Sequence, residues 1–369
     1  MDMMSAARLH DVASPFVVDR VPVPTPGDDD VLVRVRACAL VPNLKNVAYH
    51  YPEWFPFLPL PPLPAIYGLD PAGEIVAVGS HVGGLKPGQR VYVNPARSCG
   101  ACIKCRRGDT VSCSSFTLAG YFGCGPGSKQ VFERYPSGGF AEYMIAPASA
   151  IVTLPDEVTF EQASRFGYLG TSYAALCHAQ AGPQTSVLIN GATGTLGVGA
   201  TLLALAMGVP KILAVARNEA LLSELKALDP KRIITYSTKA GPCTDWAREN
   251  TDGFGPDCVI EALGPDAPPE ATMAAIQSVS RGGRIVTVGG MDKELPISPI
   301  WLMVNQISYI GSAWFTTAQG QDMAVMAQSG TLDLSRLEQQ CFELDQVNHA
   351  LDAAHHRERG GFINIVVKP

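Results

Sequence analysis

Apolar and polar residues alternate with a period of two along Val31-Leu32-Val33-Arg34-Val35-Arg36-Ala37, the spacing of a strand with one buried face. Gly73–Gly79 and Arg90–Val93 read as further strands bounded by Gly and Pro. Between the first two, Tyr49–Pro64 holds six prolines. That density predicts an extended, stiff loop rather than a helix or a central strand. Its aromatic side chains either pack on a core or wall a pocket.

The pattern changes near residue 156. Thr159-Phe160-Glu161-Gln162 has the capping-box signature of a helix start. From Ser186 the spacing predicts strand Val187–Asn190, helix Thr195–Met207, strand Ile212–Ala216, helix Glu219–Leu228 and strand Arg232–Tyr236. Helix Asp245–Asn250, strand Cys258–Ala262, helix Ala271–Val279 and strands Arg284–Val288 and Ile307–Ile310 follow. Six apolar strands with helices between most of them predict a parallel sheet covered on both faces. The remaining helices, near Met323 and over Val347–His355, and a strand at Phe362–Val367 have no place in that sheet. They are expected to return to the first domain.

At 369 residues the chain suggests two domains, or three. Apolar residues make up 47% of it and charged residues only 17%, which excludes intrinsic disorder. Lys and Arg number 28 against 34 Asp and Glu, a net charge of −6 with no basic run. Neither nucleic acid nor an anionic membrane is an expected partner. Met1–Ser5 has no apolar core for a signal peptide, and Leu196–Val209 is too short and glycine-rich to span a bilayer. A soluble, cytoplasmic protein is expected.

Of ten cysteines, Cys38, Cys124, Cys177, Cys243, Cys258 and Cys341 stand alone and read as small buried hydrophobes. The other four form Cys99-x2-Cys102-x2-Cys105-x7-Cys113, with Gly100 and Gly108 in the loop. Four thiolates so spaced can close a tetrahedron around zinc and leave no position for water, which makes the site structural. The alternatives are an iron–sulfur cluster, whose usual spacings differ, and four unrelated thiols.

Strand Val187–Asn190 runs into Gly191-Ala192-Thr193-Gly194-Thr195-Leu196-Gly197 and then a helix. Glycines there let backbone N–H groups approach a pyrophosphate at the helix's positive end; the plainer reading is a tight strand–helix turn. An acid at the end of the next strand would favour NAD. Here Ala216-Arg217-Asn218 stands instead, and Arg217 can meet a 2′-phosphate as a planar ion pair. The expected cofactor is NADP(H), unless Arg217 is a solvated strand-end residue.

With these parts in order, the whole chain resembles the medium-chain dehydrogenase/reductase superfamily, which includes zinc alcohol dehydrogenases and quinone oxidoreductases. The resemblance implies an α/β fold: a Rossmann domain with a doubly wound, six-stranded parallel sheet, and a β-rich GroES-like catalytic domain with a zinc lobe. The expected boundaries are 1–155 for the catalytic domain (lobe 97–115), 156–314 for the dinucleotide domain, and 315–369 for the return. Cys99, Cys102, Cys105 and Cys113 match the family's structural zinc site, one ion per chain. Ala192–Gly197 match its cofactor turn; Thr171, Gly191, Asn218, Val288 and Gly289 complete the expected cofactor contacts.

The catalytic zinc site departs from the family. Val41 stands where alcohol dehydrogenases carry a cysteine, Leu69 replaces the histidine of their Gly-His-Glu motif, and Tyr168 aligns with the third ligand. Cys38, His50 and Asp70 could converge on an unconventional metal, though their spacing does not show it. Without zinc, charge developing on the substrate falls to side chains, and Tyr168, Asp70 and His50 are the candidate catalytic residues. Asp70 needs a strongly raised pKa to donate a proton; Tyr168 could instead simply fill the vacated space.

The expected activity is NADPH-dependent hydride transfer to a polarised C=C or C=O bond of a small, fairly apolar substrate. Its rivals are an alcohol dehydrogenase with unconventional zinc ligands and a non-catalytic NADPH-binding protein. A homodimer is expected through the edge strand Ile307–Ile310.

Overall fold

The computed structural model describes residues 2–355 and 358–369. Strands Ile233–Ser237, Lys211–Ala216, Ser186–Asn190, Cys258–Glu261, Arg284–Thr287 and Ser308–Gly311 form one parallel sheet in that spatial order. Chain order reverses beside Ser186–Asn190, which is therefore the switch point. In open sheets of this kind ligands bind there, beyond the carboxyl ends of the strands. The predicted alternation recovers all six strands; the central ones, Lys211–Ala216, Ser186–Asn190 and Cys258–Glu261, are apolar runs buried almost throughout, while the edge strands Ile233–Ser237 and Ser308–Gly311 are half-exposed. Helix Glu219–Leu228 matches its expected bounds, and Thr159 and Gln162 form both arms of the capping box.

The β-rich part is built on a seven-stranded sheet around Asp30–Ala39, which pairs with Asp70–Val78 on one side and Tyr143–Pro147 on the other. The tail enters this sheet. Strand Ile363–Lys368 runs antiparallel to Asp30–Ala39, with Val366 opposite Ala39, and Glu338–Glu343 joins its outer edge. A further sheet pairs Met3–Leu9 with Val17–Pro22 and Ala65–Ile66.

Three expectations need correction. Leu44–Tyr49 is helical, and within the proline-rich segment Tyr51–Trp54 makes a helical turn. Pro52 sits in the first turn, where its missing N–H would have no intrahelical partner anyway. Helix Pro299–Asn305, ahead of the last sheet strand, and the polar edge strand Glu338–Glu343 are additions. Of the six solitary cysteines, Cys38, Cys243 and Cys258 are buried, but Cys124, Cys177 and Cys341 are exposed.

No helix of the described residues is long and apolar enough to cross a membrane.

Candidate functional site

In the lobe, the Sγ atoms of Cys102 and Cys105 lie 3.5 Å apart, Cys113 and Cys99 3.6 Å, Cys102 and Cys113 3.8 Å, and Cys99 and Cys105 4.0 Å. A tetrahedron with zinc–sulfur bonds of about 2.3 Å has edges of about 3.8 Å, so the four thiols fit that ion. The chain prepares them for it. Cys102 N–H donates to the Cys99 sulfur at 3.3 Å, and Ser115 N–H to the Cys113 sulfur at 3.3 Å. Backbone N–H groups, Ala101 first, bring the Cys99 thiol down to about 6, whereas burial lifts Cys113 to about 11. A bound cation supplies the charge that lets all four ionise together.

Among the described residues this is the one His, Cys, Asp and Glu grouping close enough to hold a metal. The structure does not assemble Cys38, His50 and Asp70 into another. Cys38 is buried next to Asp70, and burial first, then the carboxylate's charge, raise its pKa. His50 lies elsewhere in its contacts, half-buried at the junction of two short helices with its ring stacked on Trp54 at 4.7 Å.

At the switch point a cavity of 630 Å³ opens above the sheet, lined by Asn190, Gly191, Thr193, Gly194, Arg217 and Asn218 among others. Its form follows from the turn. A Cβ on Gly197 would stand 2.2 Å from the Gly191 carbonyl oxygen, so only glycine lets helix Thr195–Ala206 start this close to the strand. Ala192 and Gly197 are buried and serve that packing. Thr195 is largely buried, and Leu196 lends its carbonyl to the Ser172 hydroxyl at 2.9 Å, which ties helix Phe166–Ala179 to the turn. The N-terminal end of this helix is the kind of place where backbone N–H groups and the helix dipole favour a bound anion.

Arg217 is exposed at the rim, and no carboxylate pairs with it among the described residues. The nearest following acid, Glu219, is turned to the Ser237 hydroxyl at 3.1 Å and to Lys239 at 3.5 Å. Asn218 caps the next helix by accepting from Leu221 N–H. Seven expected contacts lie outside the cavity lining: Ala192, Thr195, Leu196 and Gly197 in the turn, and Thr171, Val288 and Gly289 away from it. The Thr171 hydroxyl donates to the Gly167 carbonyl at 2.7 Å within its own helix. Val288 and Gly289 donate their N–H groups to the Glu261 carbonyl, each at 2.9 Å.

The floor carries a buried polar pair that sequence reading overlooked. Glu261 accepts from the Asn190 side-chain amide at 2.7 Å and from Leu263 N–H at 2.9 Å, while burial raises its pKa. The turn is also covered from a distance: Gly361 N–H donates to the Thr193 carbonyl at 2.9 Å. The Arg165 guanidinium joins both segments, donating to the Gly361 and Thr195 carbonyls.

Helix Phe166–Ala179 carries Tyr168 from the turn toward the β-rich part, half-buried, with the Arg165 guanidinium 5.6 Å from its ring centre. Asp70 lies under the same helix, so close that a Cβ on Gly167 would stand 1.9 Å from its Oδ1. It is wholly buried, and Tyr92 Oη donates to that oxygen at 2.7 Å. Burial pushes its pKa up to about 7, against the opposing pull of Tyr92 and Arg165. Asp70 thus has the raised pKa its proposed role requires but no surface open to a substrate. Val41 and Leu69, at the other two positions where the family has zinc ligands, are buried among apolar residues.

Near Tyr168 lies a hydroxyl cluster that sequence reading also missed. Asn43 donates its side-chain amide to Tyr51 Oη at 2.8 Å, and Tyr121 has Asn43, Tyr51 and Tyr168 as neighbours. The aromatic loop was the only signal of it.

A parallel six-stranded sheet with a glycine turn at its switch point, beside a β-rich unit with a four-thiolate lobe, defines the class of two-domain zinc-binding dehydrogenases. The family models for an alcohol dehydrogenase GroES-like domain and for a zinc-binding dehydrogenase match residues 27–156 and 195–329. The alcohol dehydrogenase of Geobacillus stearothermophilus is 31% identical over 89% of this chain and 90% of its own. The uncharacterized zinc-type alcohol dehydrogenase-like protein YphC of Escherichia coli is 31% identical over 80% of each. A Sinorhizobium meliloti structure solved with NADP superposes with a TM-score of 0.81 at 22% identity, covering 100% of both chains. The chain belongs to the medium-chain dehydrogenase/reductase superfamily and is an oxidoreductase of that family.

Proposed function

We propose that the protein is an NADPH-dependent reductase of a polarised C=C or C=O bond in a small, fairly apolar substrate, working without a catalytic zinc. The observation that carries this reading is the side-chain set where the family's catalytic ligands align. Val41 and Leu69 are 2% and 3% exposed and offer only carbon, and Tyr168 offers a phenol. Three protein ligands with an open fourth position are what a catalytic zinc needs.

Bound above the sheet, NADPH supplies a hydride. Gly191–Gly197 and the helix behind them hold its pyrophosphate, and Arg217 holds its 2′-phosphate. The exposed position of Arg217, and the turning away of Glu219, support the choice of NADPH. Tyr168, which follows the Gly167 packed against Asp70, stabilises charge that develops on the substrate.

Following NADPH oxidation against enones, quinones, aldehydes and ketones, with zinc counted on the same sample, tests the proposal. Turnover with one zinc per chain is expected. Two zinc ions per chain, with activity lost to a chelator while the fold survives, would show an alcohol dehydrogenase with unconventional ligands. No turnover of any acceptor would leave a binding protein.

A further inference from the structure

Arg97 lies on the two-residue strand Ala96–Arg97 just ahead of the zinc lobe and is 4% exposed. Its Nη1 donates to the carbonyl oxygens of Asn94 and, at 3.1 Å, of Ala96. Those bonds hold the guanidinium in place. Its Nε and Nη2 are buried and have no hydrogen-bond partner among the described residues. The Tyr135 ring centre, 5.3 Å from Cζ, gives the cation a π contact but no acceptor for these two groups. Nε–H and Nη2–H project in parallel from one edge of the guanidinium, and a carboxylate can meet that edge with both of its oxygens. A buried charged donor without an acceptor costs stability, and two of them here await one.

Arg97 also lines a cavity of 520 Å³ that shares no lining residue with the cofactor cavity. Ser98, Thr110, Ser115 and Ser149 are in its wall. So are Thr316 and Thr317, at the start of the 12-residue helix Thr317–Gln328. Thr316 caps that helix by accepting from Gln319 N–H at 3.2 Å. The helix thus brings its positive end to the same cavity as the guanidinium.

The charges around the cavity select the ligand. Buried Asp30 accepts from Tyr135 Oη at 2.8 Å and lies 3.7 Å from the Arg134 guanidinium, so those two charges cancel. Asp29 is exposed, screened by water and drawn to His81 at 3.2 Å. A zinc-loaded lobe adds two negative charges, four thiolates around a divalent ion, and Arg106 and Arg107 on the lobe offset them. Arg97 is left with one uncompensated positive charge, which suits a monoanion.

We propose that this cavity binds the carboxylate of a small hydroxy acid, held by both oxygens on Nε–H and Nη2–H of Arg97. The two nitrogens are shielded from bulk water, so the carboxylate reaches them by displacing part of the wall. Gln130 and Arg134, exposed on helix Ser128–Arg134, form its solvent side. The site is independent of the reductase reading.

Calorimetry with L-lactate on the zinc-loaded protein tests the proposal, with lactamide as the uncharged control. Lactate should bind at one site per chain, with the same affinity when NADPH is present, and lactamide should not bind. Arg97→Lys keeps the charge and loses the fork, and should weaken lactate about tenfold. Gln130→Glu leaves Arg97 untouched, adds a carboxylate to the exposed side of the wall, and should weaken lactate about fivefold. Should Arg97→Lys fail to fold, Gln130→Glu decides. A parent that does not bind lactate overturns the site, as does lactamide binding equally well. Displacement of lactate by NADPH, or unchanged affinity in the folded variants, places the carboxylate elsewhere and overturns it too.

Discussion

Burial lifts the Asp70 carboxyl from the usual range to about 7, and that has a consequence for stability. The folded chain holds the proton more tightly than the unfolded chain between about pH 4 and pH 7. Stability contributed by this group is therefore present at acid pH and is lost as pH rises through that window, then levels off. The shift of about three pH units corresponds to about 4 kcal/mol. Asp70→Asn removes the titration and keeps an oxygen for Tyr92. Denaturant unfolding should find the variant equal to the parent near pH 4 and about 4 kcal/mol more stable at pH 8. A constant difference across that range would place the titration elsewhere.

Arg217 is a residue whose role is open to the same kind of test. Replacing it by Asp puts a carboxylate where a 2′-phosphate is to bind, so Arg217→Asp should reverse a preference for NADPH over NADH. Steady-state kinetics with both cofactors measure it, and a parent with equal kinetics for the two contradicts the assignment. The place of Arg217 at the cavity beside the glycine turn was legible in the sequence because strand and turn lie close along the chain. The Asp70 pKa was not, because Tyr92, Arg165 and Gly167 come to it from three other segments.

In the zinc lobe a single element carries its own chemistry. Short strands and a four-residue helix, Ile103–Arg106, leave little apolar surface to hold the segment, so the four thiolates and an ion must do it. Cys102→Ser should lower the zinc content well below one ion per chain and expose the lobe to proteolysis while the parallel sheet persists. Elemental analysis with limited proteolysis checks both. The cofactor turn is similarly local, as its glycines act within seven residues. Its cover is not: Gly361 reaches it from the tail and Arg165 from the start of the preceding helix. The helical turn Tyr51–Trp54 defeated the count of prolines because one proline at a helix start costs little.

Across the whole molecule, the edge strand Ser308–Gly311 lies at the open side of the parallel sheet, as the sequence expectation had it. Helix Pro299–Asn305 precedes it and presents Ile300, Met303 and Val304, which are 60%, 67% and 53% exposed. An open edge beside an apolar helix favours pairing with a second copy about a two-fold axis. Light scattering at micromolar concentration should give twice the chain mass of 39.2 kDa, and Met303→Asp should shift the population toward monomer. A parent that scatters as a monomer contradicts the pairing.

The parallel sheet, the thiolate lobe and the glycine turn could be read from the chain because each rests on interactions between near neighbours. Strand and helix periodicity, ligand spacing and tight turns all act over a few to about twenty residues. Three emptied ligand positions could be read as well, once the order of parts was recognised. The β-rich sheet's full membership, the buried Asp70 and the Asn43–Tyr51–Tyr121 cluster were decided by tertiary structure. Asn43 and Tyr121 lie on either side of the zinc lobe in sequence, and nothing in the chain between them encodes their meeting. They become neighbours only when the β-rich domain closes, and closure is also what removes water from Asp70 and makes its proton hard to lose.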